Sequence, residues 1–150
     1  MKDIFLQVIK NKIFMTTLMS WVIAQTLKVT IGVIREKRFD FRWFVGTGGM
    51  PSTHAAGVSC LATAVGLEYG FDSVYFAIAV VFTIVVMFDA QGVRRATGRQ
   101  AGILNKIMDD IYWRGRIRED QLRELIGHTP VEVIAGAIVG IFVAFLGYKS

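Results

Sequence analysis

Gly48-Gly49-Met50-Pro51-Ser52-Thr53-His54 leads directly into an apolar run of helical length, Ala55 to Tyr69. Two glycines free the backbone, Pro51 suits the first turn of a helix, and a hydroxyl pair precedes His54. The stretch predicts a helix over 53–69 that starts at a membrane boundary, with His54 in its first turn. Orphan N–H groups and the positive end of the helix dipole attract an anion there. The same residues also read as an ordinary loop and N-cap, so the neighbouring segments must decide between the two readings.

The composition supplies the setting. Hydrophobic residues make up 53% of the 150, and the mean hydropathy is +0.48. Both are too high for an ordinary soluble domain and fit a single integral membrane domain. The only cysteine, Cys60, lies inside an apolar run, which excludes an intramolecular disulfide and suits a small packing residue. The basic head with Lys2, Lys10 and Lys12 is similar to that of a signal peptide. No small-x-small cleavage site follows it, so it reads as a retained segment.

Outward from the central stretch, hydropathy predicts an all-α integral membrane four-helix bundle with helices at roughly 13–34, 53–69, 73–94 and 131–148. Residues 1–12 form a short amphipathic head suited to the interface. Residues 35–50 form a polar loop with Trp43 and Phe44 as interface anchors. The second helix is rich in alanine, glycine and serine, a surface that lets another helix come close. Gly70–Asp72 reads as a tight turn, which makes helices two and three antiparallel neighbours. The third helix is apolar up to Phe88, then turns abruptly polar at Asp89-Ala-Gln-Gly-Val-Arg94-Arg95. In the 96–127 connection, apolar residues recur at three- and four-residue spacing (Ile103, Leu104, Ile107, Met108, Ile111; then Leu122, Leu125, Ile126). That pattern predicts two short amphipathic helices. Gly136 and Gly140 mark a packing face on the last helix, and the small-residue faces permit a homodimer.

Four crossings put both termini and the 70–72 turn on one side, and the 35–50 and 95–130 loops on the other. Lys2, Lys10, Lys12 and Lys149 fall on the terminal side; the remaining lysines and arginines, apart from Lys28, fall on the loop side. The positive-inside rule then makes the site-bearing loops of this multi-pass protein cytoplasmic.

Several charges stand where a membrane protein seldom keeps them. Lys28 and Arg35 are seven residues apart, two helical turns along one face. Lys28 near the end of an apolar span either snorkels to the interface or meets an anion. Asp89 is costly at its depth, and a basic partner such as Lys28 accounts for it; Arg94 and Arg95 also read as a stop-transfer pair. Thr129-Pro130-Val131-Glu132 forms a capping box, with Thr129 as N-cap, Pro130 at N1 and Glu132 at N3. That accounts for Glu132 and leaves His128 unexplained. The two histidines of the chain thus both fall at helix N-termini on one side of the membrane, each beside a small hydroxyl residue and close to a proline.

Two imidazoles, several cations and two helix N-termini on one face suit a phosphate ester. A phosphoryl group takes positive charge and N–H donors on its equatorial oxygens, with nucleophile and acid in line on opposite sides. Imidazole serves in either role near neutral pH. Asp109-Asp110 with Asp89 and Glu124 lacks compact ligand spacing, and two lone histidines with one apolar-run cysteine do not make a zinc site, so no metal is expected. The Arg114–Arg118 run is interrupted and adjoins a membrane, so nucleic acid is not expected as a partner.

At these residues the chain resembles the divergent, small-membrane-protein branch of the type 2 phosphatidic acid phosphatase superfamily, related to acid phosphatases and vanadium-dependent haloperoxidases. The superfamily pattern is Lys-x6-Arg-Pro, Pro-Ser-Gly-His and Ser-Arg-x5-His-x3-Asp. Lys28-x6-Arg35 fits the first part, with Glu36 for proline. Pro51-Ser52-Thr53-His54 fits the second, with Thr53 for glycine. His128-x3-Glu132 fits the end of the third, with glutamate for aspartate. Leu122 occupies the expected arginine position with Arg123 beside it, and helix order points to Arg94 or Arg95 as the substitute.

The resemblance implies a phosphatase without a metal or other cofactor, acting on a lipid phosphate or pyrophosphate. His128 would be the nucleophile, Glu132 its orienting carboxylate and His54 the acid and base. Lys28, Arg35, Ser52, Thr53, Arg94 and Arg95 would hold the phosphate, with Asp89 and Arg123 in support. Vanadate would fit the same pocket as a phosphate mimic. The alternative is a non-catalytic protein that binds or moves anionic lipids through the same cationic pocket.

Overall fold

The computed structural model describes residues 2–37, 41, 49–112 and 128–149, and the side chains of these except 2, 92–99, 101 and 105–112. The described residues form helices joined by turns, in the order α1 (Lys2–Lys10), α2 (Lys12–Glu36), α3 (Thr53–Tyr69), α4 (Val74–Tyr112) and α5 (Pro130–Lys149).

Local chemistry sets most of the boundaries. Asn11 breaks α1 from α2 by taking extended geometry, and its Oδ1 accepts from the Phe14 amide at 3.0 Å. Lys37 ends α2 in the left-handed region at φ 52°, and its N–H donates to the Val33 carbonyl at 2.9 Å. Ser52 is the N-cap of α3, its Oγ accepting from the Ala55 amide at 3.3 Å. Pro51 therefore stands before the cap, one step outside the helical turn expected for it. Gly70, at φ 92°, closes α3, and Ser73 opens α4 by accepting from the Phe76 amide at 3.2 Å.

Among the described residues, three helices are long and apolar enough to cross a membrane: Lys12–Glu36, Val74–Gln91 within α4, and Pro130–Lys149. α3 has 17 residues and lies against α2, α4 and α5. Its burial is correspondingly high, with Ala55, Ala56, Cys60 and Ala64 at 1% exposure or less. The closest approach is to α5. A Cβ added at Gly136 would overlap the Ser52 carbonyl, and one at Gly140 would overlap the Ala56 carbonyl, so glycine alone lets the two backbones meet. Hydroxyls tie the other two neighbours to the same helix: Ser20 of α2 donates to the Ala56 carbonyl at 3.2 Å, and Thr83 of α4 to the Val58 carbonyl at 2.9 Å.

The structure corrects one expectation. The third predicted helix does not stop near residue 94, and residues 103–111 are not a separate amphipathic helix: α4 runs unbroken for 39 residues. No proline interrupts Gln91–Tyr112, and a helix that leaves the membrane continues in water when nothing caps it. The second amphipathic segment predicted in the 96–127 connection, like the anchors Trp43 and Phe44, lies outside the described residues.

Candidate functional site

Among the described residues, the interhelix backbone bonds converge at the start of α5. The Ser52 N–H donates to the Glu132 carbonyl at 2.9 Å, and the His128 N–H donates to the Ala90 carbonyl of α4 at 3.3 Å. These two bonds tie the heads of α3 and α5 and the middle of α4 together around residues 128–132.

Within that knot the capping box forms as expected. The Thr129 N–H donates to Glu132 Oε2 at 3.0 Å, and the Glu132 N–H donates to Thr129 Oγ1 at 3.3 Å. Glu132 Oε2 also lies 3.1 Å from His128 Nδ1. An ionised carboxylate can only accept, so Nδ1 carries a proton and donates it, leaving Nε2 as the nitrogen with the free lone pair when the ring is neutral. His128 is buried at 3% exposure. His54, exposed in the first turn of α3, faces it with ring centroids 6.5 Å apart and planes inclined by 58°.

The cationic side is reached through Gly49. This glycine holds φ at 89°, a conformation that disfavours any side chain, and the Lys28 stem lies along it, with Cε 3.4 Å from where a Cβ would stand. Lys28 is thereby laid against the segment that enters α3. Arg35 is exposed in the last turn of α2, two turns beyond Lys28, and no described contact joins it to the histidines. Arg94 and Arg95 have backbone positions in α4, but their side chains lie outside the described residues, as does Arg123. Asp89 is exposed and directly precedes Ala90, whose carbonyl holds His128.

Two of the residues expected to hold phosphate, Ser52 and Thr53, are buried. Ser52 has no exposed surface; its amide is engaged by Glu132 and its hydroxyl by Ala55. It is a fastener that sets where α3 begins, and so where His54 stands. Thr53 is also buried, at 5%, and begins the helix beneath the same knot. Sequence reasoning missed the Ser52–Glu132 and Ala90–His128 backbone bonds. Backbone groups leave no residue-type signature, and only the small side chains at 52 and 90 hint that two chains come close.

Over residues 9–143 the chain matches the model of the Divergent PAP2 family. It is 37% identical over 152 residues, covering 94% of this chain and 96% of the relative, to an uncharacterized membrane protein, YuiD, of Bacillus subtilis (strain 168). No solved structure matches the chain. Its three apolar helices accord with that relative's description, and the protein is an integral membrane protein. With the motif residues His54, His128 and Glu132 gathered at one end of the helices, and with the match running through nearly the whole sequence, the chain belongs to the Divergent PAP2 family.

Proposed function

We propose that this protein is a membrane phosphatase that hydrolyses a lipid phosphate or pyrophosphate through a phosphohistidine. The observation that carries the reading is the pairing of His54 with a His128 whose Nδ1 is held by Glu132. Rings 6.5 Å apart put both imidazoles beside one small volume, and exposed His54 would swing outward to leave an in-line phosphoryl group its about 3 Å approach to each ring nitrogen.

In this reading Nε2 of His128 attacks phosphorus while the bond to the leaving alcohol breaks. Protonated His54 gives that oxygen its proton. His54 then takes a proton from water, which attacks phosphorus and returns the P–N electron pair to Nε2. Glu132 fixes the His128 ring and offsets the charge that develops on it. Lys28, Arg35, and Arg94 or Arg95 balance the phosphate oxygens together with the first-turn amides of α3. The reading also takes α3 as a fourth crossing. Its 17 residues span about 25 Å, and it lies against α2, α4 and α5. The site then faces the cytoplasm, where the loop arginines favour it.

Purified protein in detergent should release phosphate from a long-chain lipid phosphate, be inhibited by vanadate, and lose activity in His128→Ala. Unchanged release in that variant overturns the mechanism. A binding-only reading draws on the commitment of Ser52 and of the Glu132 carboxylate to helix capping. It predicts lipid binding without turnover that survives His128→Ala and is lost when Arg94 and Arg95 are both replaced.

A further inference from the structure

Among the described residues, the backbone of α1 comes close to that of α2, its chain neighbour, and to no other helix. All of its described side chains are exposed, and Ile4, Phe5, Leu6, Val8 and Ile9 keep between 44% and 67% of their surface. At about 100° per residue these apolar side chains spread over about 200° of the helix, while Asp3, Gln7 and Lys10 stand together on the other side. The 9 residues of α1 span only about 14 Å, too short to cross a bilayer. Asn11 then leaves the helical path at ψ 102°, which turns the axis of α1 away from that of α2. Beyond that turn, Phe14, Leu18 and Met19 are exposed on the first turns of α2, a helix long and apolar enough to cross a membrane. The uncovered arc of α1 therefore begins where a lipid-facing surface ends. Lys12 Nζ lies 4.4 Å from the centroid of the Tyr148 ring, a contact that ties this junction to the end of α5.

We propose that α1 docks on the bilayer surface at the side of the termini, lying in its plane with the apolar arc sunk among the headgroups and its lysines on anionic lipid. The sequence pattern suits the segment to an interface; the structure adds that no other described helix takes its apolar arc. Covalent attachment to the lipid-facing start of α2 holds α1 at the membrane boundary. The first 12 residues carry Lys2, Lys10 and Lys12 against Asp3 alone, a balance that favours a negatively charged surface. The width of the arc argues for lipid over protein. One neighbouring helix covers a narrower stripe, whereas a fluid surface wets the whole arc. Docked in this way, α1 fixes how deep α2 sits, and with it the level at which Lys28 meets the Gly49 segment. The proposal is independent of the phosphatase reading, since no turnover enters it.

The test uses the full-length protein in nanodiscs, with single nitroxide labels in a Cys60→Ala background. Labels at Phe5→Cys and Val8→Cys should collide with dissolved oxygen and be shielded from a water-soluble nickel chelate. Labels at Asp3→Cys and Gln7→Cys should show the reverse, with oxygen-to-nickel collision ratios severalfold lower. Nickel access at all of these positions overturns the proposal, because α1 then stands in water. Shielding of Phe5→Cys and Val8→Cys from both reagents also overturns it, because a protein surface, a second copy included, then covers the arc. The charge is read by adding phosphatidylglycerol to phosphatidylcholine discs. The collision ratio at Phe5→Cys and Val8→Cys should rise with Lys2 and Lys10 in place, and should not rise when Lys2→Gln and Lys10→Gln are combined. An equal ratio in both lipids with the lysines in place overturns the anionic partner.

Discussion

Oε2 of Glu132 accepts from both the Thr129 amide and the His128 ring, so substitutions here separate the cap from the chemistry. Glutamine can also serve at the third position of a capping box. Glu132→Gln should therefore melt close to wild type while phosphate release falls on the order of a hundredfold or more, the scale of a lost acid–base arrangement. Glu132→Ala should lose activity and also about 1 kcal/mol of stability, the usual worth of a cap. Thermal melts in detergent beside phosphate-release assays read both; a Gln variant as active as wild type would confine Glu132 to capping. Ser52→Ala belongs to the same scale. It removes the hydroxyl that receives the Ala55 amide and should cost about 1 kcal/mol with no direct effect on a bound phosphate.

Among the elements, α3 and α5 depend on glycine in opposite ways at different positions. Gly140→Ala drives a Cβ into the Ala56 carbonyl, and the overpacked interface should lose about 1–3 kcal/mol. Gly57→Ala enters open space and should be neutral or gain up to about 1 kcal/mol through helix propensity. Melting temperatures of the two variants, measured side by side, should move apart; equal shifts would mean that the helices do not meet through Gly140. The sequence already separates the two, because Gly140 pairs with Gly136 at the four-residue spacing of a packing face whereas Gly57 stands alone among alanines. Caps were the most legible features: Ser52, Thr129 with Glu132, and Gly70 each name a boundary by residue type. The continuation of α4 past Arg94-Arg95 was not legible. A drop in hydropathy marks where a helix leaves lipid, and it carries no instruction to stop the backbone hydrogen bonding. Gly92, Gly98 and Gly102 lower helix propensity there, yet none ends the helix. The pairing of the two histidines was legible as a coincidence of position, while their separation of 6.5 Å depends on backbone bonds from Ser52 and Ala90 that side-chain patterns do not encode.

For the molecule as a whole, a crossing by α3 determines which ends of the other helices share a side. If α3 crosses, Met50 before it and Asp72 after it face opposite compartments, and Asp72 shares a side with Asp3 in α1. All three are exposed, and the lone Cys60 is fully buried, so Cys60→Ala gives a clean background for single cysteines. A membrane-impermeant maleimide added to intact cells should label Asp3→Cys and Asp72→Cys and leave Met50→Cys untouched. In inverted vesicles the pattern should reverse, placing the head of α3 and the His54–His128 pair in the cytoplasm. Labelling of Met50→Cys and Asp72→Cys from the same side would make α3 a re-entrant segment held inside a three-span scaffold. The pair of histidines would persist in that case, but a lipid would have to reach it from the compartment that also holds the α3–α4 turn.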